Sequence, residues 1–198
     1  MLPVDRQHPY EAQLDALEEV LCADLVTDTL GMGKITSTAE LTVLLERYRI
    51  TLLEPVELST ISHAHHLASR GRARELIKLD EAFLGNHPEW LRLSAGSIRF
   101  GNDCLSRLRP LRDERVVQRM IEAVRFGKTP GHHLTVFGLT MAAFSIAPRQ
   151  GLVDYAQAAL KAVVATTTET LKLTQADCKL LLARSHAPLP KAIDRMVA

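Results

Sequence analysis

The sequence predicts an all-α protein, a single compact multi-helix domain covering residues 1–198, and three observations lead there. Apolar residues recur at intervals of three and four along nearly the whole chain, the spacing of one helix face. Glycine and proline punctuate that pattern at short intervals, leaving no stretch long enough for a linker, and the turns divide the chain into about nine or ten helices. Sustained apolar–polar alternation with β-branched enrichment, the mark of a strand, is missing apart from a hint at Arg49 to Leu53. No internal repeat interrupts this reading.

The elements follow in order. Leu14, Leu17, Glu18, Leu21 and Leu25 form a first amphipathic stripe, ended by Gly31-Met32-Gly33, because two glycines in three residues weaken any helix. Ser37-Thr-Ala-Glu40 has the form of a capping box, a hydroxyl able to cap with a carboxylate three residues on, and Leu41, Leu44, Leu45 and Tyr48 carry the stripe behind it. Pro55 fits the first turn of the next helix, which runs to about Ser69 before Gly71. Arg72 to Phe83 makes another, and Gly85-Asn-His-Pro88 separates it from a helix through Trp90, Leu93 and Ile98 to Leu105 or Leu108. Val116 to Phe126 continues after Pro110, and Lys128-Thr-Pro-Gly131 is a turn. His132 to Ala147 is apolar on all sides, so it should be the most buried helix. Leu152, Tyr155, Ala156, Ala159, Leu160 and Val163 form the next stripe. The run Thr166-Thr-Thr168-Glu169-Thr170 follows it. Those hydroxyls either bond back to the preceding turn or present a polar, close-packing contact surface. Thr174-Gln-Ala-Asp177 resembles a second capping box, leading into Leu180 to Ala183, and a short segment with Pro188 and Pro190 closes the sequence.

Composition narrows the function. Apolar residues are 46% and charged residues 24% of the chain, so it can bury a core, and a net charge of +1 gives no electrostatic case for nucleic acid or a membrane surface. Arg70, Arg72 and Arg74, and likewise Arg107, Arg109, Arg112 and Arg115, lie among acidic neighbours and read as solvated helix faces. Cys22, Cys104 and Cys178 are odd in number, widely spaced and without a CxxC pair, which points to a reducing compartment. Met1 to Asp5 lacks a basic segment followed by an apolar one, and no apolar run reaches membrane-spanning length, so the expected location is the cytoplasm.

Catalytic signals fail one by one. Gly31-Met-Gly33-Lys34-Ile35 resembles a phosphate loop, but Asp28 stands where that loop needs its first glycine and Ile35 where it needs Ser or Thr. His63 and His66 share a helix face with His65 beside them, yet no acid lies nearer than Glu57 to complete a metal site. They read as exposed or hydrogen-bonded helix histidines, with a metal-dependent helical enzyme as the competing interpretation. His132 and His133 stand at the head of the most apolar helix, one placed to cap or hydrogen-bond and the other to face solvent, and no nucleophile accompanies them. No catalytic residue, metal site or cofactor is expected.

The C-terminal half resembles the urease accessory protein family UreF. Gly131-His-His-Leu-Thr-Val-Phe-Gly138 followed by Ala142-Ala-Phe-Ser-Ile146 is similar to that family's histidine-led start of its central apolar helix. Tyr155 to Val164 resembles its following alanine-rich helix, and Leu173-Thr-Gln175-Ala-Asp177 falls where the family has a Leu-Gly-Gln turn. Leu79-Asp80, Ser97-Ile-Arg-Phe-Gly101 and Gly33-Lys-Ile35 resemble upstream elements, so the likeness spans roughly residues 30 to 185. It implies an all-helical, dimer-forming protein without catalytic activity, a chaperone-like scaffold for nickel insertion. With the UreD/UreH protein, such a scaffold recruits the GTPase UreG and serves apo-urease. The sequence departs from the family in lacking its Pro-Gly-rich N-terminal segment, in its short C-terminal tail, and at four positions. Glu169 stands for an arginine, Lys172 for a proline, Thr174 for a glycine and Lys179 for a glutamine. The expected partner contacts are Glu169, Lys172, Gln175 and Lys179, with support from His132 and His133. The alternative is a UreF-fold protein turned to another partner or metalloenzyme.

Overall fold

The computed structural model describes residues 8–197 and is helical throughout, with no strand among those residues. Met1 to Asp5, read above for a leader, lies outside them. The helices are α1 (Pro9–Asp15), α2 (Ala23–Thr29), α3 (Thr38–Tyr48), α4 (Ser59–Ser69), α5 (Ala73–Asn86), α6 (Leu91–Arg107), α7 (Arg115–Arg125), α8 (His133–Ala143), α9 (Pro148–Ala165), α10 (Gln175–His186) and α11 (Leu189–Val197). Because α3, a π-helical segment (Arg49–Leu58) and α4 run end to end as one rod, the described residues form ten separate rods, in line with the nine or ten helices read from the sequence.

The molecule is built around α8. Residues 131 to 141 are all buried, as an all-round apolar helix requires. It packs against α4 on one side and α6 on another, with α1 and α5 completing the cover. The approach of α4 depends on Gly138, where a Cβ atom would stand 2.6 Å from the carbonyl oxygen of Ile61 and 2.7 Å from Cβ of Ala64. The helix stops after Ala143, four residues before the expected end. Ser145 takes a left-handed backbone (φ 55°), and the Ile146 N–H returns to the Met141 carbonyl at 2.8 Å, closing the end in the manner of a Schellman turn. Around this axis Trp90, Tyr48, Tyr155, Phe83 and Phe137 are the largest fully buried side chains, each contributing about 3–5 kcal/mol by the usual cost of truncating a core aromatic.

Four sequence expectations are met differently. The first stripe does not make one helix: it divides into α1, a 3-10 turn (Leu17–Glu19) and α2. Its two ends dock with different emphasis, α1 mainly against α8 and α9 and α2 mainly against α6, with both touching α6 and α9, so the chain turns between them. The Thr166 hydroxyl then accepts the Ala23 N–H at 3.0 Å and caps the new start. Arg49 to Leu53, the one strand-like stretch, is π-helical. Pro55 opens no new helix and lies inside that π segment, where the wider i→i+5 turn accommodates a residue without an N–H. The closing segment, finally, is the helix α11, with Pro190 in its first turn, where no N–H is needed.

Candidate functional site

The turn before α8 is held by one carboxylate. Asp80, fully buried on α5, accepts the Thr129 hydroxyl (2.6 Å) and the Gly131 N–H (2.6 Å) on Oδ2, and the His132 N–H (2.8 Å) on Oδ1. His132 Nδ1 lies 3.3 Å from Oδ1, close enough for charge attraction but off the angle of a hydrogen bond. Burial pushes the Asp80 carboxyl up, and His132, Thr129 and Gly131 more than offset it, so the group sits below the usual aspartate range. Gly131 itself needs its glycine, with φ at +81°. From the other side α6 presses on the turn through Gly101, where a Cβ would stand 2.1 Å from the Gly131 carbonyl oxygen.

A second polar chain runs through the core beside it. His133 Nδ1 lies 2.9 Å from the Ser97 hydroxyl and Nε2 lies 3.0 Å from the Tyr155 hydroxyl. The phenols of Tyr155 and Tyr48 both donate to Oε2 of Glu57, each at 2.9 Å. The direction is self-consistent: Tyr155 spends its proton on Glu57, so it accepts from Nε2–H, and Nδ1 accepts from Ser97. Burial, with the charge of His132 as a smaller cause, lowers the His133 imidazole to about 3, so it is neutral. Burial raises Glu57 to about 7 against the pull of the two phenols, while burial and the neighbouring Glu57 drive both tyrosines well above their ordinary value. Oε1 of Glu57 has no hydrogen-bond partner among the described residues. The chain therefore links α3, the π segment, α6, α8 and α9 through five side chains.

This corrects the expectation for the histidine pair. His132 and His133 are 1% and 2% exposed, so neither faces solvent. Aromatic rings enclose them, Phe83 beside His132 and Trp90, Phe100 and Tyr155 around His133. None of their hydrogen-bond or ring partners among the described residues comes from the 166–179 segment, so the structure does not bring them to the other four expected contacts.

Those four are all exposed. Glu169 and Lys172 lie in the turn after α9, Lys172 with a left-handed backbone (φ 52°), and Gln175 and Lys179 fall one helical turn apart on α10. The turn is firmly made. The hydroxyls of Thr166, Thr167 and Thr168 donate back to carbonyls of residues 162 to 164, and α9 ends at Ala165. Thr174 completes the second capping box, its hydroxyl accepting the Asp177 N–H at 3.2 Å while the Asp177 carboxylate takes the Thr174 N–H at 2.9 Å.

Elsewhere, His63 and His66 line an open cavity of about 530 Å³ with Glu54, while His65 turns aside to the Ile146 carbonyl. No three His, Cys, Asp or Glu side chains among the described residues gather as metal ligands. Sequence reasoning missed the role of Glu57, whose signal was an acid between Val56 and Leu58 with Glu54 three residues before it, and took Tyr48 and Tyr155 for plain core residues.

Set against known families, residues 35–186 match the family model of UreF, most of the chain. The chain belongs to the UreF family. No curated protein matches it. Three of the elements that carried the UreF resemblance, Leu79-Asp80, Ser97 to Gly101 and Gly131 to Gly138, thus meet at one place, the buried clamp at the head of α8. In this UreF chain that clamp acts on the backbone and on ring orientation.

Proposed function

We propose that this UreF-family chain is a non-catalytic cytoplasmic scaffold in nickel-dependent urease maturation, working as a homodimer that links a UreD/UreH-like protein and a UreG-like GTPase to apo-urease. The observation that carries this reading is the family match over residues 35–186. Two others support it. The buried Asp80, His133 and Tyr155 are engaged in hydrogen bonds that shape the fold, and no described helix is long and apolar enough to cross a membrane. Nucleotide binding belongs to the GTPase, in keeping with Asp28 and Ile35 at the places a phosphate loop could not tolerate.

The contact surface in this reading is the turn after α9 with the first turns of α10, presented by Glu169, Lys172, Gln175 and Lys179. His132 and His133 support it only from within, by fixing the head of α8. The test is co-purification of the tagged chain with its host's UreD/UreH and UreG proteins, with and without nickel and guanine nucleotide, followed by alanine at each of the four positions. A stable complex weakened by those substitutions supports scaffold and surface together. A complex indifferent to all four moves the surface elsewhere.

A second reading, a UreF fold turned to another partner or metalloenzyme, is favoured by one feature. The positions that depart from the family cluster in this same turn, where Glu169 reverses a charge and Thr174 builds a capping box that glycine could not. Failure to form any complex with the urease accessory proteins would favour it.

A further inference from the structure

A groove of about 550 Å³ opens between α6 and α7, with no lining residue from the 169–179 surface; it adjoins the clamp turn, where Asn102 reaches the Pro130 carbonyl. Leu105 and Ile121 give it an apolar floor, and Arg109 and Arg125 reach it from two different elements. Neither guanidinium pairs with a carboxylate among the described residues; Arg125 lies over the ring of the exposed Phe126. Between positions 99 and 128 eight Arg and Lys stand against four Asp and Glu, although the whole chain carries only +1. The arginines at 107 to 115, read from sequence as an ordinary solvated face, thus belong to a local excess of positive charge beside a concavity.

The polar lining narrows the ligand. Asn102 Nδ2 donates to the carbonyls of Ile98 (2.7 Å) and Pro130 (3.0 Å), and Gln118 Nε2 donates to that of Leu111 (2.9 Å). Both N–H groups of Asn102 are committed, so its oxygen, which only accepts, is the remaining group, while Gln118 keeps its oxygen and one N–H. The groove therefore combines amide acceptors and one amide donor with two cationic donors and an apolar floor. Phosphate at neutral pH offers mainly acceptors, so it would meet the Asn102 oxygen unfavourably and leave the apolar floor uncovered. A peptide offers all three complements: backbone N–H groups for the amides, carboxylates for the arginines and apolar side chains for the floor.

We propose that the α6–α7 groove binds an acidic, extended peptide segment of a partner protein, with its carboxylates on Arg109 and Arg125. The proposal does not depend on urease being the client. The probe is a short fluorescein-labelled peptide of mixed glutamate and leucine, titrated with the full chain and followed by fluorescence anisotropy. The expected result is saturable binding that weakens on the order of tenfold in Arg109→Glu and in Arg125→Glu, with no binding of the lysine–leucine counterpart. Both arginines are exposed, so circular dichroism melts of the variants should match the parent and separate lost binding from lost fold. Absence of binding, equal binding of the lysine peptide, or binding unchanged in both variants overturns the proposal. Displacement by inorganic phosphate at matched ionic strength also overturns it, replacing the peptide with a small-anion site.

Discussion

Glu57 and His133 share one hydrogen-bonded chain but respond to acid in opposite senses. Burial raises Glu57 from 4.5 to about 7, so between those values the folded protein keeps a proton that the unfolded chain has released. Its contribution is full below pH 4.5 and is lost as pH rises through about 7. His133 falls from 6.5 to about 3, so its contribution is full above pH 6.5 and is lost as pH falls toward 3. Where the windows overlap, the two slopes oppose each other, and the parent protein should show little pH dependence from this pair. Glu57→Gln keeps an acceptor for the phenols and removes one of the two slopes. Urea unfolding of that variant should show stability climbing from pH 4.5 to 6.5, by up to about 2.7 kcal/mol over the two pH units. A variant as flat as the parent would mean that the imidazole is charged in the folded state. The pair was only half legible from sequence. Two adjacent histidines at the head of an apolar helix are visible in any reading, whereas Glu57 lies far from them in the chain and meets them only through Tyr155.

Elements whose ends are chosen by neighbouring residues were readable. Thr174 and Asp177 form the reciprocal pair their spacing suggests, and Ser37 accepts the Glu40 N–H at 3.2 Å as a cap should. The Glu40 carboxylate reaches one residue further back than the box requires, taking the Thr36 N–H at 2.7 Å. Thr174→Ala should cost about 1 kcal/mol in the chemical-denaturation midpoint, the ordinary value of a lost cap, and Thr174→Ser should restore most of it. Elements whose course is decided by distant packing were not readable. Nothing between Leu14 and Leu25 announces a turn, because the break answers to α6, α8 and α9 and to a threonine hydroxyl more than a hundred residues away. Pro55 has the same lesson in reverse. Its missing N–H argues locally for a new start, yet the flanking stripes bury Leu52, Leu53 and Val56 against a common core, and the rod continues past it with a widened turn.

At the scale of the whole molecule, a long composite rod and a fully buried axial helix set the geometry on which both proposed surfaces sit. The fold class and the identity of the axial helix were legible because one face of nearly every helix, and every face of α8, must leave water. Which surfaces remain open for partners was not, since exposure is a property of the assembled helices. The π segment has a further consequence, for the history of the chain. Each i→i+5 turn holds about one more residue than an α turn of the same sweep, so the rod carries slack that an α-helix lacks. A lineage that gained a residue here could store it without rotating α4 away from Gly138, and one that loses it could relax toward an α register. Removing one residue from within positions 50–55 should therefore lower the melting temperature less than removing one from the middle of α9, where a deletion would swing Leu160 and Val163 out of the core. Equal losses would show the widened turns to be as rigidly specified as the helix they interrupt.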